Sequence, residues 1–199
     1  VVSVSCRLPA SWPGHHAGQF ALVTFSAAEG AHPFTIASAN RDDRSIEFRI
    51  KALGDHTRKL PTLLSPGQSV DIEGPYGRFD LRRINRQAQQ LWVAGGIGVT
   101  PFLAWLNALH SKADDAPSAE LHYCTRNCVN DPFVPELTSL CAGLPTIRLH
   151  VHDARRGWDG SLDALEQRHR RVRHGLRAPV AQRRVLVVGE RTDHRDRLR

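Results

Sequence analysis

The stretch Leu91–Leu109, which reads LWVAGGIGVTPFLAWLNAL, determines how the rest of the chain is interpreted. Residues 91–94 are apolar without a polar break, as is typical of a strand that is buried on both faces. Gly95, Gly96 and Gly98 follow, and a turn without side chains lets the backbone approach a large ligand. The pattern therefore predicts a buried strand that ends in an open glycine turn.

A helix is predicted directly after this turn. Thr100 is a good N-cap residue, and Pro101 suits the first helical position because an N–H group there would have no helical partner. Apolar residues recur at helical spacing from Phe102 to Leu109, which predicts a helix over 101–110. Free N–H groups and the helix dipole attract anions, of which a nucleotide pyrophosphate is the usual one. A glycine turn that only packs tightly is the alternative.

The composition limits the classes of protein to consider. The chain has 199 residues, a length that allows two small domains. Its net charge is +7, and it has four cysteines. No apolar run approaches the roughly 18 residues of a membrane span. The first residue is Val1, and we expect a fragment of a longer protein. The cysteines lack CxxC spacing, so we expect reduced thiols in a cytosolic setting and no metal site.

Residues 1–84 are predicted to form a small antiparallel β-barrel or sandwich, because short apolar or alternating runs are separated by turn formers. One helix is predicted between Thr57, which would cap it, and Leu64. The segment Glu73–Phe79, EGPYGRF, is predicted to be a tight turn. The predicted strands are Val2–Leu8, Phe20–Phe25, Phe34–Ala37, Ile46–Leu53 and Val70–Glu73.

Two stretches of this first part carry chemistry. In HPFT, residues 32–35, Pro33 favours an extended His32, so alternate side chains share a face and can line a ligand. A strand end with one exposed histidine is the alternative. In IKALGDHT, residues 50–57, a strand ends at Gly54 before a capped helix, which predicts a second phosphate site.

From residue 88 onward strands and helices alternate, which predicts a parallel sheet. Ligands bind at the carboxyl ends of such strands, where the glycine turn and residues 124–127 fall. The predicted strands are Leu91–Ala94, Ala119–Thr125 and Thr146–Val151, and the predicted helices are Pro101–His110 and Val134–Cys141, the latter capped by the turn at Asp131 and Pro132.

Four motifs occur in an order that resembles the ferredoxin–NADP reductase superfamily: HPFTIAS, IKALGDHT, EGPYGRF and VAGGIGVTPF. The resemblance is closest to the ferric reductase and NADPH oxidase branch. It implies an antiparallel β-barrel FAD-binding domain over residues 1–84. An α/β Rossmann-like NAD(P)-binding domain would follow over residues 88–199.

The resemblance also assigns residues to FAD. Phe34 would cover the isoalloxazine ring, and the hydroxyl of Thr35 would act near N5 as the catalytic group. His32 stands where the superfamily has an arginine that faces the pyrophosphate, and a neutral histidine is a weaker anion partner. Gly74–Gly77 would lie beside the adenine end or the domain junction. The implied FAD contacts are His32, Pro33, Phe34, Thr35, Ile36, Ala37, Ser38, Lys51, Gly54 and Thr57.

The second cofactor would be NADPH or NADH. The segment 123–126 resembles the one that faces the adenosine ribose, and Arg126 would contact a 2′-phosphate, since its fork matches phosphate geometry. A surface arginine at a strand end is the alternative. The implied contacts are Gly95, Gly96, Ile97, Gly98, Thr100, Pro101 and Arg126.

We therefore expect a module that passes electrons from NAD(P)H through FAD to a one-electron acceptor. That acceptor would be haem or ferric iron, in a transmembrane domain N-terminal to this segment or in a separate protein. The module would lie on the cytoplasmic side of the membrane, or in the cytoplasm if no such domain exists. A soluble flavin reductase or oxygenase-reductase component is an alternative, although the iron–sulfur type would need a four-cysteine motif that this chain lacks.

The C-terminal part departs from the family. The apolar run Val185–Gly189 is followed by Glu190, where the family has a Cys-Gly-Pro motif. From Arg168 the chain is rich in arginine without lysine. Such a tail also fits a non-enzymatic nucleic-acid-binding protein, although we do not expect nucleic acid as a partner. We expect residues 164–199 to be disordered or to be read in a shifted frame.

Overall fold

A computed structural model describes residues 1–52, 55–156 and 184–188 of this chain. The predictions for Gly54, Glu190 and most of the atypical segment 164–199 lie outside these residues. The strands are β1 (Val2–Arg7), β2 (Phe20–Thr24), β3 (His32–Thr35), β4 (Ser45–Ile50), β5 (Asp71–Tyr76), β6 (Gln90–Gly95), β7 (Ala119–Thr125), β8 (Ile147–Asp153) and β9 (Arg184–Val188). The α-helices are α1 (Asp55–Leu63), α2 (Thr100–His110) and α3 (Phe133–Ala142).

The first part of the chain forms two antiparallel sheets. One pairs β1 with β4, and the other has the order β3-β2-β5. An isolated bridge between Ile36 and Phe48 links them. The prediction of a β domain before a parallel α/β part is confirmed, but the described residues do not close into a barrel.

Period-two alternation explains the core of these sheets. Every second residue of β4 is buried, which places Ile46, Phe48 and Ile50 inside. The alternate residues of β2 do the same. Together with Leu60 of α1, these strands enclose one apolar cluster. Its buried members are Leu8, Ala21, Val23, Phe25, Ile36, Ile46, Phe48, Ile50 and Leu60.

Two local predictions in this part are corrected. Helix α1 begins at Asp55, so Thr57 lies in its first turn rather than at the cap. Aspartate at a helix start is itself favourable, because its charge complements the dipole. Strand β5 continues through Gly74 to Tyr76 with a register shift opposite Phe20, so this stretch is bulged strand rather than tight turn.

The second part is a parallel sheet in the order β8-β7-β6-β9. Residues 185–188, the apolar run near the C-terminus, lie in β9 and pair with β6. Trp92, Leu121 and Tyr123 are fully buried. Helix α3 packs against β8, and Phe133 of α3 contacts Tyr123 edge-on. None of the described helices has the length and apolar character needed to cross a membrane.

Contacts divide the chain into two compact units. The first comprises Val1–Asn85 and Thr100–Asp115, and the second comprises Arg86–Val99 and the described residues from Ala116 onward. Helix α2 therefore packs with the antiparallel sheets, whereas the predicted domain limits of 1–84 and 88–199 assign it to the α/β part by sequence. The position of the domain boundary stays a prediction.

A cluster of aromatic rings holds α2 in the first unit. Trp105 stacks on Phe79 with 4.5 Å between ring centroids, and Phe102 meets both rings edge-on. Gly18 lies against this cluster with φ +100°, where a Cβ atom would be 2.0 Å from the Phe79 carbonyl oxygen. Only glycine fits that approach.

Candidate functional site

The HPFT segment forms β3 and pairs with β2. His32 lies opposite Val23, and Phe34 lies opposite the buried Ala21. Side chains alternate along a strand, so His32 and Phe34 share one face, as the sequence predicted, and their ring centroids are 6.5 Å apart. That face is the one that packs against the apolar core.

Phe34 is half-buried and is fixed by two core rings. Its centroid lies 5.7 Å from that of Phe25 and 6.3 Å from that of Phe48. A ring held in this way loses little further freedom when a flat ligand covers its remaining surface. The arrangement suits the predicted contact with the isoalloxazine ring, which stays a prediction.

Pro33 and Thr35 point to the opposite face of β3, where they lie across from Leu22 and Phe20. Thr35 is half-buried and is the last residue of the strand. Phe34 and Thr35 therefore lie on opposite faces of β3. One ligand could contact both side chains only if it lay at the end of the strand.

Residues 36–38 have no exposed side chains. Ile36 is fully buried, and Ala37 and Ser38 are nearly so. The N–H groups of Ile36 and Ala37 donate to the carbonyl oxygens of Gln19 and Glu47. The predicted FAD contacts of these residues remain untested, but both N–H groups are already committed to the fold.

Ser38 and His15 form a buried polar pair that the sequence analysis did not identify. The Ser38 hydroxyl accepts a hydrogen bond from the Glu47 N–H at 3.1 Å. The Ser38 carbonyl oxygen accepts one from His15 Nε2 at 3.2 Å. Burial lowers the pKa of His15 below its ordinary value, against the opposing effect of this hydrogen bond. Two adjacent histidines before a strand carry no sequence signal for such a pair.

Lys51 and Thr57 lie at the other predicted phosphate site. Lys51 directly follows β4 and is half-buried, and Thr57 is half-buried in the first turn of α1. The bridge between Ile36 and Phe48 is antiparallel. Residues that precede Ile36 therefore run alongside residues that follow Phe48, which places HPFT and Lys51 at the same end of this pairing.

The glycine turn follows β6 in the second unit. The strand ends at Gly95, and Gly96–Val99 form a 3₁₀ turn that contains Ile97 and Gly98. Gly96 has φ +52°, in the left-handed region. Among the described residues, no atom lies within 4 Å of a Cβ atom built on Gly95, so this part of the chain leaves space beside that backbone.

Thr100 is the first residue of α2 and not a cap before it, because the 3₁₀ turn runs directly into the helix. The side chains of Thr100 and Pro101 are both buried. Any contribution of these two residues to a ligand comes through the backbone, because their side chains are buried.

Arg126 lies beside the glycine turn. Strands β6 and β7 run parallel with Gly95 opposite Cys124, so the glycine turn and Arg126 leave the same edge of the sheet. Arg126 is exposed at the carboxyl end of β7. Burial raises the pKa of the neighbouring Cys124 thiol to about 12, so this sulfur stays protonated near neutral pH.

Two aspartates fix the chain around Arg126. Asp131 accepts hydrogen bonds from the Tyr123 hydroxyl at 2.8 Å and from the N–H of Phe133 at 2.8 Å. The second bond holds the turn that precedes α3, where the sequence predicted a turn at Asp131 and Pro132, although the N-cap residue Pro132 makes no side-chain cap. Asp153 of β8 accepts from the Cys128 N–H at 3.2 Å. Burial, followed by this contact with Asp131, raises the pKa of Tyr123 well above its ordinary value, so its hydroxyl remains a donor.

Comparison with known proteins supports the sequence resemblance. Residues 1–80 match a protein family described as an FAD-binding domain. Methane monooxygenase component C of Methylosinus trichosporium is 30% identical over 136 residues, 67% of this chain and 39% of that protein. Ferric reduction oxidase 4 of Arabidopsis thaliana is 38% identical over 90 residues, 42% of this chain and 12% of that protein. The chain thus spans well under two thirds of either relative.

A solved structure shows the same fold. A ferredoxin NADP+ reductase from Neisseria gonorrhoeae, with bound FAD and NADP, matches with a TM-score of 0.73. The match covers 95% of this chain and 79% of that chain at 16% identity. The shared fold is a β domain followed by a parallel α/β part.

Proposed function

We propose, on the premise that this chain belongs to the ferredoxin–NADP reductase superfamily, that it binds FAD and NAD(P)H and passes electrons from the nicotinamide to a one-electron acceptor. The observation that carries the proposal is the edge of the parallel sheet. There Gly95 ends β6, and the exposed Arg126 directly follows the neighbouring strand β7. A Gly-rich turn at a carboxyl edge is the usual place for a dinucleotide pyrophosphate.

FAD supplies the redox chemistry in this proposal, because a flavin takes a hydride from reduced nicotinamide and returns electrons singly. The chain supplies binding and placement. Phe34, wedged between Phe25 and Phe48, offers a fixed aromatic surface to a flat ring. Thr35, on the other face at the strand end, would hold a hydrogen bond at flavin N5. Lys51 and the start of α1 would bind the FAD phosphates by positive charge and free N–H groups.

Arg126 favours NADPH over NADH. Its guanidinium is exposed, while the backbone beside it is held by Asp153 and Asp131. A guanidinium group binds a phosphate with two parallel hydrogen bonds. The adenosine 2′-phosphate is the group that distinguishes NADPH, and a contact there would account for the preference.

For the acceptor we propose haem or ferric iron, by analogy with the ferric reduction oxidase relative. The acceptor would lie in a transmembrane domain N-terminal to this segment, with the module on its cytoplasmic side, or in a separate protein. A second candidate is an oxygenase. The methane monooxygenase relative matches over 136 residues, a longer stretch than the 90 residues of the ferric reduction oxidase.

The test is flavin retention followed by reduction. Protein incubated with FAD and desalted is expected to keep a flavin absorbance band, which NADPH bleaches under anaerobic conditions. Ferric chelates and cytochrome c are then added as acceptors. Absence of retained flavin at micromolar protein would overturn the assignment. Thr35→Val is expected to slow bleaching more than it weakens FAD binding, whereas equal loss of both would remove the role of Thr35 at N5.

A further inference from the structure

A second cluster of functional side chains lies on one face of the parallel sheet. Side chains alternate along a strand, so Glu120 and His122 of β7 point the same way. The register places His122 opposite His150 of β8, with His152 two residues further on the same face. The imidazoles of His122 and His150 stack with centroids 4.6 Å apart and an interplanar angle of 19°.

Three of these side chains converge on one point. Ligand atoms of Glu120, His122 and His150 all lie within 4.8 Å of one another. The Nε2 atom of His122 is 3.6 Å from Oε2 of Glu120. Two donors bound at about 2.0–2.1 Å to one tetrahedral ion are about 3.3 Å apart, so small side-chain rotations bring these atoms to coordination distance.

His152 determines which nitrogen of His122 faces this point. Nδ1 of His122 lies 2.9 Å from Nε2 of His152, so one of the two nitrogens carries the proton. When His122 Nδ1 donates, its Nε2 lone pair is directed toward Glu120. Metal-bound histidines have this arrangement, in which the second ring nitrogen donates to an outer partner.

We propose that Glu120, His122 and His150 bind a divalent first-row transition ion, with Zn²⁺ the best fit, and that His152 positions His122. Two imidazoles and a carboxylate are a donor set that Zn²⁺ uses, with water in the fourth position. The exposed His150 provides access for the ion, whereas His122 is 6% exposed and lies beside the half-buried Glu120. This site is independent of the proposed reductase activity.

A bound ion at this position would stabilise the parallel sheet. It would join β7 to the neighbouring strand β8. Asp153 of β8 also accepts from the N–H of Cys128 in the turn that follows β7. An ion that binds the folded chain but not the unfolded one raises the melting temperature. The loop that carries Arg126 would be held by the same pair of strands.

The test uses the full chain after dialysis against a chelator. Calorimetric titration with Zn²⁺ is expected to show one saturable site and a higher melting temperature, and Co²⁺ is expected to show the visible absorption of a four-coordinate ion. His150→Gln and Glu120→Gln should each abolish the Co²⁺ band, and neither empties the core because His150 is exposed and Glu120 keeps its shape. His152→Gln should lower the affinity about 10- to 100-fold with the Co²⁺ band retained.

The matched control is His110→Gln, which removes an exposed histidine at the end of α2. It is expected to bind Zn²⁺ like the parent chain. Absence of saturable binding by the parent would overturn the proposal. So would His150→Gln binding as tightly as His110→Gln, because the ion would then be held by histidines elsewhere.

Discussion

Trp105 of α2 donates a hydrogen bond from its indole Nε1 to the carbonyl oxygen of Ala17 at 2.8 Å, across 88 residues of sequence. Both residues are buried. The contact fixes the helix that begins directly after the glycine turn to the loop that leads into β2. A helix expected to serve the nucleotide turn therefore also packs within the first unit.

Trp105→Phe removes this donor and leaves the Ala17 carbonyl oxygen with only the longer hydrogen bond from the Leu81 N–H, at 3.4 Å. We expect the loss of the hydrogen bond to lower the free energy of unfolding by about 0.5–1.5 kcal/mol, with a further decrease from the smaller ring contact with Phe79. Urea unfolding followed by circular dichroism measures it. Trp12→Phe is the matched control, because Trp12 is half-buried and its Nε1 has no hydrogen-bond partner among the described residues. Equal losses for the two variants would contradict the importance of the bond to Ala17.

Gly95→Ala tests the open backbone at the end of β6. The added methyl group meets no atom of the described residues within 4 Å, so the melting temperature is expected to stay nearly unchanged. In the proposed complex the methyl group would occupy ligand space, and we expect NADPH binding about tenfold weaker, or ~1.4 kcal/mol. Titration of NADPH against the flavin-loaded protein measures the affinity. Unchanged affinity with unchanged stability would show that no ligand approaches this backbone.

Arg126→Ala tests the choice of nucleotide. A charge-assisted hydrogen bond to phosphate contributes about 1.5–3 kcal/mol. We therefore expect the variant to bind NADPH roughly ten- to a hundredfold more weakly and NADH almost as well as before. Arg155→Ala, at an exposed arginine after β8, is the control for general loss of positive charge. If Arg155→Ala weakens NADPH binding as much, the effect of Arg126 is long-range electrostatics and not a phosphate contact.

Local patterns predicted the features that depend on neighbouring residues. The apolar run and three glycines around Gly95 predicted β6 and its turn, and the Asp131–Pro132 turn predicted the start of α3. The start of α1 was misplaced by two residues, because both Asp55 and Thr57 are plausible at a helix start. The bulge at Gly74 was read as a turn, since glycine and proline mark both.

Features that depend on strand register could not be predicted. His122 and His150 are separated by a helix in the sequence and meet only because β7 and β8 pair with that register. The close approach of Gly18 to Phe79 could not be predicted either, because it is a contact between residues far apart in the sequence. Alternation within HPFT correctly placed His32 and Phe34 on one face, but whether that face turns to the core or to a ligand depends on β2.

Because of the buried His15, we expect the free energy of unfolding to depend on pH. Nε2 donates to the Ser38 carbonyl oxygen, so Nδ1 is the atom that a second proton would occupy. Nδ1 is buried and has no hydrogen-bond partner among the described residues. The charged form is therefore disfavoured, and the pKa of His15 in the folded chain lies below its ordinary value of 6.5.

The direction of the effect follows from proton linkage. Above pH 6.5 His15 is neutral in both states, and its contribution to stability is fully present. As the pH falls below this value, the unfolded chain takes up a proton that the folded chain resists, so the free energy of unfolding decreases until the lower folded pKa is reached.

We expect the free energy of unfolding to decrease by at most about 1.4 kcal/mol per pH unit because of this group. His15→Gln, which keeps a donor for Ser38, should flatten the decrease that begins below pH 6.5, whereas the neighbouring exposed His16→Gln should leave it unchanged. Urea unfolding at a series of pH values measures both, and a decrease equally steep in His15→Gln would show that other groups cause it.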